Sequence, residues 1–207
     1  TATPTVETSI LPTSSPQNTL LITDTPLPIT TSFFENGCIK SDIWTPTTST
    51  TYQVTKDNCL DLFENGFSVL DDNLLINIQS DSPKTSTIYM PFPTTGIIKF
   101  DVSIDTFKSG ENGNLAFGLG DTNCKITDGE FIFYRSTDSK IFTVYGSSVL
   151  EYGETVEKYT LGSTDTLEFR SNKSAFEIYF NNIKVKTGIM PTSNPSFCIG
   201  FRFPENV

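Results

Sequence analysis

The chain reads as an all-β protein: an antiparallel β-sandwich of jelly-roll type behind an extended Thr/Pro-rich N-terminal tail. Three observations predict this. Short apolar runs alternate with polar residues at period two, and no long 3.6-residue periodicity occurs. The composition favours strands, with 17 Phe and 7 Tyr among 207 residues and many Thr, Ile and Val. Asn, Asp and Gly punctuate the runs at turn spacing. Roughly a dozen such strands bury their apolar faces only by packing as two sheets.

The elements follow in order. Residues 1–32 are dominated by Thr, Ser and Pro and contain no Gly and no basic residue. That composition cannot build a core and predicts a stalk or linker. One run interrupts it: Thr19, Leu20, Leu21, Ile22 and Thr23 form a short apolar segment of strand type. A solvated linker has no use for Leu-Leu-Ile. The run is either the first edge strand of its own domain or a strand given to a neighbouring copy. In polyproline II, 32 residues span on the order of 100 Å, which exceeds the body they leave.

Residues 33–207 are the sandwich. Strands are expected at Phe67–Leu70 and Leu74–Gln79 around a turn at Asp71-Asp72-Asn73. Thr87–Phe92 meets Pro91 and Pro93, which predicts an edge or a strand end. In Ile97–Phe107, Ile98, Phe100, Val102 and Ile104 alternate with Lys99, Asp101, Ser103 and Asp105, a half-buried strand with one wet face. Asn114–Leu119, Glu130–Arg135, Ile141–Tyr145 and Val156–Leu161 follow. Thr166–Arg170 turns at Asn172-Lys173 into Ala175–Phe180, which turns at Asn181-Asn182 into Ile183–Lys186. Asn-Asn tolerates the positive φ angles of a tight hairpin. Phe197–Phe203 closes the chain, with Phe197, Ile199, Phe201 and Phe203 on one face.

The segment Thr166–Val185, TLEFRSNKSAFEIYFNNIKV, resembles the back-to-back hairpins of concanavalin A-like and laminin-G-like sandwiches. There a strand ends in a polar turn, an aromatic-rich strand follows, and an Asn/Asp-Gly turn leads to a Lys-Val strand. Asn182 stands where that pattern has Gly. The resemblance runs from Phe67 to Phe203 and implies a lectin- or glucanase-type jelly roll. It carries no diagnostic functional motif.

Net charge is −10, with 14 basic and 24 acidic residues. Such a chain repels phosphate backbones and anionic lipid, which argues against nucleic acid and membrane surfaces as partners. No run is long and apolar enough to span a bilayer. Thr1 without an initiating Met reads as a mature product whose export signal is gone. Histidine is absent, which removes Ser–His–Asp and Cys–His arrangements. Cys38, Cys59, Cys124 and Cys198 form no CxxC pair. An even count in an acidic Thr-rich β protein suggests two disulfides and an extracellular or cell-surface setting. Cys38–Cys59 with Cys124–Cys198 is favoured; three pairings are combinatorially open, and four buried thiols are the alternative.

A glycosidase needs two carboxylates across a cleft. The Glu-x-Asp-x-x-Glu pattern of related sandwich glucanases is missing, so no enzyme activity is expected and no catalytic residue is assigned. Glu151, Glu154 and Glu157 recur every three residues, which a strand does not keep on one face, and Gly153 suggests a loop there. Asp121, Asn123, Asp128 and Glu130 form an oxygen-rich loop and are weak calcium candidates; no other cofactor is expected. Trp44, Tyr134, Tyr145 and Tyr152 are the aromatic candidates for stacking on a glycan, with core packing as the competing role. Two functions remain. The leading one is an extracellular structural or adhesive subunit that polymerises with copies of itself through Thr19–Thr23. The alternative is a carbohydrate-binding, lectin-like module on a stalk, with polysaccharide as partner.

Overall fold

The structure, a computed structural model, describes residues 34–35, 37–47, 52–63, 66–70, 73–76, 84–105, 113–125, 129–135, 140–145, 151–158, 160–190 and 193–203. Among these residues there is no α-helix, and all strand pairs are antiparallel.

The N-terminal part supplies short strands: β1 (Phe34–Glu35), β2 (Cys38–Ile39), β3 (Thr45–Pro46), β4 (Gln53–Val54), β5 (Leu60–Asp61), β6 (Phe67–Leu70) and β7 (Asn73–Ile76). Longer strands follow: β8 (Lys84–Pro91), β9 (Thr95–Ser103), β10 (Asn114–Gly120), β11 (Glu130–Arg135), β12 (Lys140–Tyr145) and β13 (Glu151–Lys158). The chain closes with β14 (Thr164–Asn172), β15 (Ala175–Phe180), β16 (Ile183–Ile189) and β17 (Ser196–Phe203).

Seven strands form one sheet in the order β13-β12-β11-β10-β17-β8-β3, and four form a second in the order β16-β15-β14-β9. Alternation decides which side of each strand is buried. In the large sheet Ile88, Leu115, Phe117, Leu119, Ile132, Tyr134, Ile141, Phe197, Ile199 and Phe201 point inward; Ile98, Val102, Leu167, Phe169, Phe176, Ile178 and Phe180 answer them from the small sheet. Rings interlock across the gap. Phe197 contacts Phe169 and Phe100 at centroid distances of 5.1 and 5.6 Å, and Phe100 meets Phe117 at 5.2 Å. Each such side chain contributes roughly 1.5–3 kcal/mol by leaving water.

The short N-terminal strands plug one end of this core. Trp44 stacks on Phe34 at 5.4 Å and tilts against Phe197 at 6.4 Å, while Ile39, Leu60, Leu62 and Phe67 are buried beside them. Disulfide Cys38–Cys59 ties the plug together, and Cys124–Cys198 ties the end of the β10–β11 connection to β17. This is the pairing favoured from the sequence.

The two hairpins read from the sequence are present. Asn181 and Asn182 have φ of 48° and 65°, the positive values that a two-residue hairpin turn requires. Asn181 does more than tolerate the turn. Its Oδ1 accepts from the Thr166 amide at 2.8 Å, and its Nδ2 donates to Asp165 Oδ1 at 3.1 Å.

Pro91 falls at the end of β8, one of the two places expected for it, while β8 itself lies between β17 and β3. One expectation is corrected. Glu151–Lys158 is a strand rather than a loop at Gly153; shifts in the β12–β13 register absorb the irregular spacing.

Candidate functional site

Burial removes two of the proposed sugar platforms. Trp44 is 1% exposed and Tyr134 0%. Stacking on a sugar needs an open ring face, and both rings are filled by protein: Trp44 by Phe34 and Phe197, Tyr134 by an edge contact with Phe117. The Tyr134 hydroxyl donates to Asp165 Oδ2 at 3.4 Å, an inter-sheet contact. Burial, then the Asp165 charge, push its phenol well above the ordinary range. For Tyr145 and Tyr152 the structure describes the backbone only. Thr19, Leu20, Leu21, Ile22 and Thr23, with the assembly expected of them, lie outside the described residues, as does Asp128.

The remaining calcium candidates do not gather. Asp121 is occupied by its own loop: Oδ1 accepts the Asn123 amide and Oδ2 accepts Asn123 Nδ2, each at 2.9 Å. Glu130 faces Lys186 instead, with Nζ 3.6 Å from Oε2. Burial raises the Glu130 carboxyl and the Lys186 charge partly counters it. Among the described residues no three His, Cys, Asp or Glu side chains converge as a metal cage.

Each sheet has an outer face. On the small sheet the side chains complete one another. Glu168 and Glu177 are 7% and 6% exposed. Glu168 receives the Arg170 Nε–H and lies 3.6 Å from Lys99 Nζ. Glu177 accepts from Lys184 Nζ at 3.0 Å and from the Tyr179 hydroxyl at 2.8 Å. The Arg170 guanidinium lies 4.3 Å from the centroid of the Tyr179 ring. Burial and then the bond to Glu177 raise the Tyr179 phenol, and Lys184's own bond to Glu177 raises its exposed ammonium. Both carboxylates are thus spoken for by cations, a knitted surface that holds β9, β14, β15 and β16 in register.

The large sheet is different. Its ladders place three rows across six strands, each row alternating with inward core positions. Thr85, Arg202, Asn114, Arg135, Lys140 and Lys158 stand in one register. Beside them run Thr87, Gly200, Ala116, Phe133, Phe142 and Thr155, then Tyr89, Cys198, Gly118, Phe131, Val144 and Tyr152. The inward positions between these rows include the buried Leu115, Phe201 and Ile141. Neighbouring strands lie about 4.8 Å apart, so a six-strand row extends roughly 24 Å.

The third row has a firm base. Ala116, Phe131 and the Cys124–Cys198 disulfide form a second buried cluster, with Tyr89 packed against it. Phe131 lies so close over Gly118 that a Cβ there would collide with the ring and with the Glu130 carbonyl. Of the aromatic candidates, Tyr152 falls in this outer row. Tyr145 falls in the row of Leu119 and Glu130, which is interleaved with the core side. Arg202, Asn114, Arg135, Lys140 and Lys158 are dispersed over some 90 positions of sequence, and only the pairing register brings them together.

No family model matches the chain, and no curated protein matches it in sequence. Solved structures match its fold, a concanavalin A-like jelly-roll β-sandwich. A structure from work on endo-acting O-glycanases that initiate mucin breakdown, expressed by members of the human gut microbiota, superposes with a TM-score of 0.53 at 13% identity. The match covers 82% of this chain and 83% of that one. The Emp47p carbohydrate recognition domain gives 0.49 at 8% identity, over 84% and 85% of the two chains. The carbohydrate-binding module CBM66 from Bacillus subtilis gives 0.43 at 14%, over 78% and 92%. The first, above 0.5, carries the fold; at such identities no residue role transfers.

Proposed function

We propose that this chain is an extracellular carbohydrate-binding, lectin-like module whose binding surface is the outer face of the seven-stranded sheet. The observation that carries the reading is the contrast between the two outer faces. The small-sheet face satisfies its own carboxylates and cations. The large-sheet face aligns polar and aromatic positions in rows with no complementary anion in register. Oligosaccharides are extended chains of hydroxyls with apolar ring faces, and rows of polar register positions beside aromatic ones suit them.

The fold supports the reading, since lectins and carbohydrate-binding modules share it; glycoside hydrolases share it too. Binding without hydrolysis is favoured because none of the three rows carries a carboxylate in register, and a glycosidase needs two. Two disulfides suit an oxidising exterior. Among the described residues no helix is long and apolar enough to cross a membrane. Residues 1–32 serve in this reading as the stalk that carries the sandwich of residues 33–207.

Affinity electrophoresis of the full chain through gels containing soluble polysaccharides tests the proposal. Retardation by at least one polysaccharide, without release of reducing ends, is the expected result. Migration unchanged in every gel would refute binding; reducing-end release would turn the module into a hydrolase.

A further inference from the structure

We infer that Asn172 is a modification site and carries an N-linked oligosaccharide. The inference rests on the extracellular part of the reading above and is independent of whether the module binds a polysaccharide. Asn172-Lys173-Ser174 is the single Asn-x-Ser/Thr triplet of the chain whose middle residue is not proline. The transfer joins Asn172 Nδ2 to the anomeric carbon of an oligosaccharide donor activated as a lipid pyrophosphate. The anomeric C–O bond breaks, its electron pair leaves with the pyrophosphate, and Nδ2 gives up one proton. Nothing is oxidised or reduced.

A glycan is bulky, so the folded chain must have room for it and leave the acceptor atoms unengaged. The fold meets both needs by placing the triplet at a hairpin tip. Asn172 ends β14, Ala175 opens β15, and the two pair directly. Lys173 and Ser174 make the two-residue turn between them, with Lys173 at φ 56°. Both turn residues are exposed and Asn172 is half-buried. The turn is held through its backbone: the Lys173 amide donates to the Thr94 carbonyl, and the Met190 amide to the Ser174 carbonyl at 2.7 Å. Among the described residues neither the Asn172 carboxamide nor the Ser174 hydroxyl makes a hydrogen bond, and neither is a buried unpaired group. Other asparagines differ. Asn123 Nδ2 donates to Asp121, and Asn181 Nδ2 to Asp165. Asn194-Pro195-Ser196 fails twice, because proline fills its middle position and because Pro195 and Ser196 are buried where the chain enters β17.

Strand alternation fixes the side from which the glycan projects. Ser171 is fully buried and its hydroxyl donates to the Pro93 carbonyl at 2.6 Å. Asn172 therefore falls on the outer side of the small sheet, in line with Glu168 and Arg170. A glycan there stands over the surface whose charges already satisfy one another, and it leaves the outer face of the seven-stranded sheet open. Its register row runs Thr95, Asn172, Ala175, Ile189. Ile189 is 69% exposed, so the first sugars also lie beside an apolar side chain that the protein itself leaves in water.

The test is mass spectrometry of the full chain purified from its natural source, before and after treatment with a peptide-N-glycosidase, with thiols counted in the same sample. The expected result is an intact mass above that of the polypeptide that falls on treatment, with Asn172 converted to Asp and no free thiol. Expressed in the same cells, Asn172→Gln and Ser174→Ala should each lose the added mass, whereas Ser174→Thr should keep it. Ser174→Ala leaves the carboxamide in place and alters only an exposed turn residue, so it separates loss of the acceptor triplet from loss of the fold. An unmodified Asn172 in a natural chain with both disulfides formed would overturn the inference and leave the extracellular reading standing. Free thiols together with an unmodified Asn172 would overturn both. Sugar found only on Thr or Ser within residues 1–32 would overturn the assignment to Asn172.

Discussion

Removing the Cys124–Cys198 bridge should cost more stability than removing Cys38–Cys59, and the difference can be worked from the chain. The bridges span sequence separations of 74 and 21 residues. In the loop-entropy account, closing them restricts the unfolded chain by about 4.4 and about 3.3 kcal/mol respectively at 25 °C. C124A/C198A therefore unfolds about 1 kcal/mol more easily than C38A/C59A on this term alone. Packing widens the gap. Cys198 is fully buried against Ala116 and Phe131, whereas Cys59 is only half-buried at the plug. For a chain of this size, about 4.4 kcal/mol corresponds to a Tm fall of roughly 9–18 °C. Urea titrations of both double variants followed by tryptophan fluorescence provide the assay, because Trp44 is the single Trp and is core-buried. A C124A/C198A variant no less stable than C38A/C59A would refute the reasoning, showing that the longer loop is already restricted in the unfolded chain.

Phe197 joins both sheets and the Trp44 plug, so Phe197→Ala is expected to cost about 3–5 kcal/mol in chemical denaturation; a loss below about 1 kcal/mol would deny the ring cluster its central place. Asn182 holds a positive φ of 65° with a β-carbon, so Asn182→Gly should stabilise by a few tenths to about 1 kcal/mol, read as a raised urea midpoint. Asn181→Gly in the same turn should instead destabilise, because it loses the bonds to Thr166 and Asp165. Glu130 sets a pH dependence. Burial raises its carboxyl above the ordinary 4.5, against the pull of Lys186. The native state thus holds this proton to higher pH than the unfolded chain, and the Glu130 contribution to stability falls as pH rises through the window just above 4.5. Glu130→Gln should remove that fall; unfolding midpoints from pH 4 to 7 that keep the slope of the natural chain would disprove it.

Strand identity was largely legible because period two is local. The alternation at Ile97–Phe107 places Ile98 and Val102 in the core, and the last three strands fall within a few residues of their expected bounds. The Asn181-Asn182 hairpin was legible for the same reason, since turn chemistry depends on two adjacent residues. The aromatic candidates were not separable. A Tyr on a strand has the same sequence signature whether its ring meets a sugar or the opposite sheet, and Tyr134 met the sheet. The disulfide pairing was narrowed by sequence but fixed by proximity, with Cα atoms 5.4 and 5.9 Å apart.

Sequence by itself determined the class of this protein: an all-β chain with an acidic surface, no histidine chemistry and cysteines suited to two bridges. Those properties are sums over residues or patterns over neighbours, and neither needs a partner strand. Tertiary structure decided which face bears the candidate site. Arg202, Asn114, Arg135, Lys140 and Lys158 come from five strands, and nothing local marks them as a set. Their alignment is a property of strand order and register, which the pairing of whole sheets fixes. The same register set Lys99 opposite Glu168 on the other face, where Arg170 of the same strand bonds that carboxylate as well.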